Sequence, residues 1–194
     1  MLRLDLVVGP NGAGKSTFVG FTLAPALPPG VAFVNADEIA RQRWPDDPES
    51  HSYEAARVAA RTRDALIRVR QSFIAETVFS HPSKLDLIDV AHSAGYAVFL
   101  HVLLVPEELA VRRVHLRVEA GGHSVPEAKI RQRYERLWSL VAVAVGRADA
   151  ATVYDNTRLE GPRIVARLVH GVQVGAVSWP AWAPSVLAAA WPGI

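Results

Sequence analysis

Short apolar runs alternate with longer amphipathic stretches along most of this 194-residue chain. Leu2–Val8 is apolar apart from Arg3 and Asp5 and ends in two valines, which predicts a buried strand. Val31–Asn35, Ser72–Ala75, Tyr96–Val105 and Ala151–Tyr154 read as four more strands, with Tyr96–Val105 carrying the strongest pattern. Lys15–Leu23 and Ala36–Arg43 follow the first two strands and read as helices or turns. Ser50–Gln71 is rich in Ala and Arg and free of Gly and Pro, so it predicts a long helix. Pro82–Ala94 predicts a helix closed by Gly95. Pro106–Ala120 is helical in pattern and ends at Gly121 and Gly122. Ser124 and Glu127 have capping-box spacing and open a helix to about Ala148. After Gly161 the expectation is a helix to about His170 and then an edge strand to Val177.

Strands alternating with helices imply a parallel sheet, here of five strands, with helices on both faces. No repeat, linker or low-complexity segment divides the chain. The expectation is one α/β domain over residues 1–194, with a helical lid at about 106–148. The tail at about 177–194 carries Trp179, Trp182 and Trp191 among Pro and Ala, and a tail that apolar is expected to pack on the body.

Composition narrows the function classes. Half of the residues are hydrophobic, 21% are charged and the net charge is +2, a balance that asks for neither a nucleic-acid nor a membrane partner. No apolar stretch approaches the roughly 18 residues of a membrane span. The first residues lack the shape of a signal peptide. There is no cysteine, so thiolate chemistry and disulfides are excluded. A cytoplasmic location is expected. The basic residues are 18 Arg against 3 Lys, and one of the three is Lys15. A compact ammonium at that point is a chemical requirement rather than a drift of composition.

Lys15 belongs to the run Gly9, Pro10, Asn11, Gly12, Ala13, Gly14, Lys15, Ser16, which matches the P-loop pattern at every fixed position, between a strand and a helix. Glycines let the backbone curl so that its N–H groups point at phosphate oxygens, and the following helix adds the positive end of its dipole. Lys15 is expected to bridge the β- and γ-phosphates of ATP, Ser16 to ligate Mg²⁺, and Thr17 to reach the α-phosphate. No guanine-specificity motif and no long apolar strand ending in Asp-Glu accompanies the loop, which favours a kinase over a GTPase or a motor ATPase.

Phosphoryl transfer to a small-molecule acceptor also needs a base and cations. Asp37, just past the second strand, is on the side where such sheets bind ligands and is the candidate base. Glu38 is the alternative, and a helix-capping role for Asn35 or Asp37 is the plain structural reading. Glu76 and Thr77 at the third strand's exit are candidate acceptor-side residues, as is the loop residue His81. Arg112, Arg113, Arg117, Arg131, Arg133 and Arg136 are the lid cations. Helical phase puts Arg131 and Arg133 at the borders of the stripe Ile130, Tyr134, Leu137, Trp138 and Val141, and turns Arg136 away. His123 is a second loop candidate, and Tyr154–Asn156 follow the last core strand.

Taken together, the P-loop, the acid after the second strand, the Phe73–Thr77 exit, Arg117 and the turn Ser124–Glu127 resemble the zeta-toxin family of P-loop kinases over about residues 3–156. The resemblance implies an adenylate-kinase-like fold and transfer of the γ-phosphate to a sugar hydroxyl of a UDP-N-acetylated amino sugar. It also implies an antitoxin protein that blocks the ATP site. By motif it assigns Lys15 and Ser16 to phosphate and Mg²⁺, Asp37 to the base, Glu76 and Thr77 to the acceptor, and Arg117 or Arg113 to the first lid arginine. Where longer members carry a second lid arginine this chain has His123, leaving Arg131 or Arg133 to replace it. A metabolic or antibiotic-modifying kinase on the same fold and a slow ATPase switch are the alternatives.

Overall fold

The computed structural model describes residues 1–120 and 125–193. Its centre is a seven-stranded sheet ordered β2-β3-β1-β4-β5-β6-β7. The strands are β1 (Leu2–Val8), β2 (Ala32–Asn35), β3 (Phe73–Thr77), β4 (Tyr96–Leu104), β5 (Ala150–Asp155), β6 (Arg163–Val169) and β7 (Val172–Gln173). Pairing is parallel from β2 through β5 and antiparallel for β6 and β7. The helices are α1 (Lys15–Phe18), α2 (Ala36–Arg43), α3 (Ser52–Arg68), α4 (Ser83–Ser93), α5 (Glu107–Glu119), α6 (Glu127–Arg147) and α7 (Ser185–Ala190). A π-helical turn, Val19–Leu23, continues α1. The turn residues Gly121, Gly122, His123 and Ser124 lie outside the described residues, and with them the expected cap at Ser124.

Two strands extend the sheet beyond the five expected in the parallel core: β7 falls within the edge strand expected before Val177, and the helix expected from Gly161 to His170 is instead β6. The cause is tertiary. Val165, Ala166 and Leu168 are buried against the main core, which the edge of β5 would otherwise leave open. The reversal into β7 takes two residues, His170 and Gly171, with φ of 48° and 74°. Positive φ at both positions is the geometry that matches the twist of a tight hairpin.

Two core layers flank the sheet. Leu4, Leu6 and Val8 of β1 join the larger layer with Ala59 of α3, Ile88 of α4 and Leu137, Val141 and Ala144 of α6. Val7 faces the smaller layer with Phe18 of α1 and Ala110 of α5. The alternation along one buried strand therefore sorts helices to both faces. The tail packs on the larger layer, through buried Leu187 and partly buried Trp179, Trp182 and Trp191. Trp191 Nε1 donates to Gly171 O at 2.8 Å and Trp179 Nε1 to Trp191 O at 2.7 Å, so both indoles keep their polar atom satisfied.

Helix α6 belongs to two cores. Leu137, Trp138, Val141, Ala144 and Val145 sit in the large layer, while Ile130 joins Val111, Val114 and Val125 in a small separate cluster. Between the first turns of α5 and α6, Arg131 reaches Glu108 at 2.6 Å, Glu127 at 2.9 Å and Glu107 at 3.4 Å. No helix among the described residues is long and apolar enough to cross a membrane.

Asp5 is the unexpected feature of β1. It lies mid-strand at 1% exposure, with Arg3 Nε at 2.6 Å and His101 Nε2 at 2.8 Å. Burial opposes its ionisation, but the hydrogen bonds from Arg3 and His101 outweigh that and hold its pKa below the ordinary carboxylate value. A lowered folded-state pKa adds stability above the unfolded value and loses it as pH falls through the folded one. Asp5→Ala is therefore expected to remove about 3 kcal/mol at neutral pH. Urea unfolding should also show the variant losing less stability than the parent between pH 7 and pH 3.

Candidate active site

The C-terminal ends of β1, β2 and β3 lie side by side, and strand register decides what meets there. Val8 pairs with Thr77, and Asn35 with Glu76. The Gly-rich loop leaves β1 at this edge and closes over it. Three of its glycines are restricted by contact as well as by conformation, Gly9 among them with φ +154° and an added Cβ 2.6 Å from Leu103 O. Gly12 has φ +76°, and an added Cβ would stand 2.3 Å from Ala110 O. Gly14 has φ +81°, and an added Cβ would stand 2.7 Å from Asn156 Nδ2. Asn156 uses that amide to donate to Ala13 O at 2.7 Å, bracing the loop from β5's exit.

Lys15 is buried at the loop's centre, and among the described residues its hydrogen bond goes to Pro10 O at 2.8 Å. An ammonium has three donors. Burial pushes its pKa down, Glu76 and Asp37 push it up, and Arg117 and Arg133 push it down again. Two carboxylates and two guanidiniums thus converge on this one cation.

Glu76 is the hub beside it. Its Oε2 accepts from Ser16 Oγ at 2.9 Å and from Asn35 Nδ2 at 2.8 Å. Desolvation raises its pKa, against the opposing charge of Lys15 and the bond from Ser16. Asn35 uses its other amide atom to cap α2, Oδ1 accepting from Asp37 N at 2.8 Å and Glu38 N at 3.4 Å. The Asn35 cap fixes the turn on which Asp37 stands. Asp37 lines the cleft; Glu38, next in the same turn, is not among its lining residues.

The cleft has a volume of about 1130 Å³. Asn11, Gly12, Gly14, Lys15, Ser16 and Thr17 line its phosphate end, with Gly9, Pro10 and Ala13 behind them. Thr77 lines it as well. Of the arginines on α5 and α6, Arg113, Arg117 and Arg133 line it. Arg133 Nη1 reaches Asn11 Oδ1 at 3.5 Å, and Arg113 donates to the carbonyls of Asn156 at 2.9 Å and Thr157 at 3.2 Å. Arg131 does not line the cleft; it is spent on Glu107, Glu108 and Glu127. Arg112 and Arg136 are exposed and outside it. His81 is outside it too, where its Nδ1 accepts from Ser83 N at 3.2 Å at the start of α4. His123 lies outside the described residues. Tyr154 packs on Phe18 with ring centroids 4.9 Å apart, leaving Asn156 as the cleft residue of that run.

Sequence reasoning passed over Arg63, Lys84 and Lys129, which also line the cleft. Their helical periods show only which face they occupy, not that the face is turned inward. Asn35 was recognised as a cap but not as a partner of Glu76, since that contact depends on the β2–β3 register.

A β-strand, a glycine-rich loop around a buried lysine and a following helix define a P-loop nucleotide-binding domain. Residues 4–140 match the family model AAA_33, an AAA domain, and the chain belongs to that family. An uncharacterized protein of Haemophilus influenzae is 28% identical over 127 residues, 65% of this chain and 88% of that one. Among solved structures, a chain of the AvrRxo1-ORF1:-ORF2 complex with ATP superposes with TM-score 0.70 at 18% identity. The match covers 90% of this chain but only 60% of that one. The PezAT toxin-antitoxin system of Streptococcus pneumoniae gives TM-score 0.66 at 14% identity, covering 98% of this chain and 84% of that one. Shikimate kinase from Acinetobacter baumannii gives 0.52 at 21%, covering 81% and 86%. These likenesses show a P-loop kinase fold.

Gly12→Ala should lower the thermal midpoint and abolish ATP-analogue binding, because left-handed strain of about 1–2 kcal/mol adds to a clash with fixed backbone. Gly146→Ala is the control: it lies in α6 with nothing within 4 Å of an added Cβ. That variant should gain about 0.5–1 kcal/mol and bind the analogue normally. Parallel melting and binding curves check both.

Proposed function

We propose that the chain is an ATP-dependent kinase that transfers the γ-phosphate to a hydroxyl of a small molecule. The observation that carries this reading is the convergence of Glu76, Asp37, Arg117 and Arg133 on Lys15 within one cleft. A purely structural loop has no use for that arrangement, and it supplies each part that phosphoryl transfer needs.

In this reading Lys15 leaves Pro10 O and takes the β- and γ-phosphates, with the loop N–H groups around them. Thr17 is placed for the α-phosphate. Ser16 Oγ and Glu76 Oε2, 2.9 Å apart, are the hard oxygen donors that would hold Mg²⁺ together with the bound nucleotide. Bound there, the ion would neutralise charge on the phosphates. Asp37, held by the Asn35 cap, accepts the acceptor's hydroxyl proton, and Thr77 contacts the acceptor. Arg117 and Arg133 stabilise charge on the transferring group. Arg131 clamps α5 to α6, so that the outer ends of the two helices, with their own small cluster, act as a lid. The lid is then shorter than 106–148, because the C-terminal half of α6 is core.

Within this class, the zeta-toxin resemblance and the likeness to the PezAT system support a UDP-N-acetylated amino sugar as acceptor and a partner antitoxin. The deciding experiment incubates the purified protein with γ-labelled ATP, Mg²⁺ and a panel of hydroxylated metabolites that includes UDP-sugars. Label appearing on an acceptor supports the kinase; label found only in inorganic phosphate, whatever is added, makes the protein an ATPase switch instead.

Variants divide the roles. Lys15→Ala should abolish turnover. Asp37→Asn should bind ATP normally and lose about 10²–10⁴ in transfer rate. Arg133→Ala should lower the maximal rate by about 10³ while changing ATP affinity less. Arg136→Ala should be silent. Because burial raises the Glu76 pKa, the carboxylate takes up its proton above the ordinary Glu range as pH falls. Protons should therefore compete with Mg²⁺ for this carboxylate, and at sub-saturating Mg²⁺ the rate should begin to fall at a higher pH than an ordinary Glu would impose. Glu76→Gln should erase that limb and raise the Mg²⁺ concentration needed for half-maximal rate.

A further inference from the structure

The cleft extends well beyond the phosphate cradle. Its far wall is one face of α3, where Tyr53, Ala56, Ala59 and Arg63 recur at three- or four-residue spacing. Val78–Ser80 after β3 and Lys84 in the first turn of α4 complete it. Ala56 and Ala59 contribute only methyl groups to this wall, so its polar groups are those of Tyr53 and Arg63. At about 1130 Å³ the cleft exceeds the roughly 300–1,000 Å³ typical of a pocket for one drug-sized ligand. It has room for a nucleotide and a second molecule.

Arg63 and Lys84 differ from the other half-buried cations around them. Arg131 is matched by three glutamates, Arg113 by two carbonyls, and Lys129 lies over the Tyr53 ring at 5.5 Å. The Arg63 and Lys84 side chains have no hydrogen bond or ion pair among the described residues, although both are half-buried. Desolvation lowers the pKa of each, and the Arg63 charge lowers that of Lys84 further. Asp64 is the acid that acts on Arg63, and it is exposed and outside the cleft lining. Two partly desolvated like charges destabilise a fold unless something compensates them, and buried charges are ordinarily paired. The cations that act on Lys15 are Arg117 and Arg133, a different pair.

We propose that Arg63 and Lys84 together seat an oxyanion of the acceptor, so that the second substrate is a hydroxylated compound bearing a phosphate or a carboxylate. The word acceptor rests on the kinase reading; the anion seat does not. Arg supplies a planar fork suited to either oxyanion, and Lys a point charge beside it. Binding there would fix one end of the substrate on α3 and α4 and leave a hydroxyl to reach Asp37 and the γ-phosphate.

The first test needs no turnover. The protein is saturated with a non-hydrolysable ATP analogue and Mg²⁺, which fills the phosphate cradle, and inorganic phosphate and pyrophosphate are titrated as probes. Arg63→Gln and Lys84→Gln should each weaken probe binding by about tenfold or more, as loss of a charge-assisted hydrogen bond does, and Lys84→Arg should retain it. Both Gln variants should also raise the thermal midpoint of the ligand-free protein, since each relieves a repulsion. Unchanged probe binding in both variants overturns the proposal.

The second test offers the labelled-ATP assay three acceptor arms: phosphorylated, carboxylated and uncharged hydroxyl compounds. One anionic arm should take the label and so name the oxyanion. Its KM should rise about tenfold or more in each Gln variant, with kcat changed less. Uncharged acceptors labelled with equal kcat/KM overturn the anion seat and leave the kinase standing. Label in no arm overturns the kinase reading, and the probe titration then decides the seat alone.

Discussion

One carboxylate oxygen, Oε2 of Glu76, accepts from Ser16 at the start of α1 and from Asn35 at the end of β2. Three neighbouring strand ends are tied through that atom. β3 supplies the acid, β2 supplies the amide, and the loop leaving β1 supplies the hydroxyl. The arrangement exists only because the parallel register sets Asn35 opposite Glu76 and Val7 opposite the same residue on the other side. A slip of one residue would turn Glu76 to the opposite face of the sheet and dissolve the group. Asn35 carries the constraint onward, because the amide that meets Glu76 also caps α2 and so sets where Asp37 stands.

This dependence explains how much was readable in advance. The strands that hold the site are local patterns: continuous apolar runs ended by polar residues. The Gly-rich loop is legible because its chemistry tolerates few substitutions, and Lys15 stands out further in a chain that otherwise uses arginine. Asp37, Glu76 and Thr77 were legible as residues at or just past strand ends. The bonds among them were not, since register is a property of two strands and no single segment records it.

Other misses have the same origin. β6 read as a helix because its pattern is short, and its burial is supplied by the open edge of β5. Arg131 and Arg133 sit at mirror positions on the stripe of α6, so helical phase treats them alike. What separates them is α5, whose Glu107 and Glu108 stand within reach of one and not the other. Arg63 and Lys84 were passed over because an exposed-looking charge on an amphipathic helix is indistinguishable, in sequence, from one turned into a cleft. Asp5 shows the reverse: a charge inside an apolar run is tolerated because Arg3 and His101 come to it in the folded sheet.

The division of α6 between two cores has a mechanical meaning. Leu137, Val141 and Ala144 root its second half in the large core, while its first turns are held by the small Ile130 cluster and by the ion pairs of Arg131. Arg133 stands one turn before the rooted half, and Glu127 and Lys129 stand in the lightly anchored first turn. In the kinase reading, a shift of the lightly anchored first turn would carry Arg133 less than it carries Glu127 and Lys129. The charge offered to the phosphates would then be set by the root of the helix and access to the cleft by its mouth.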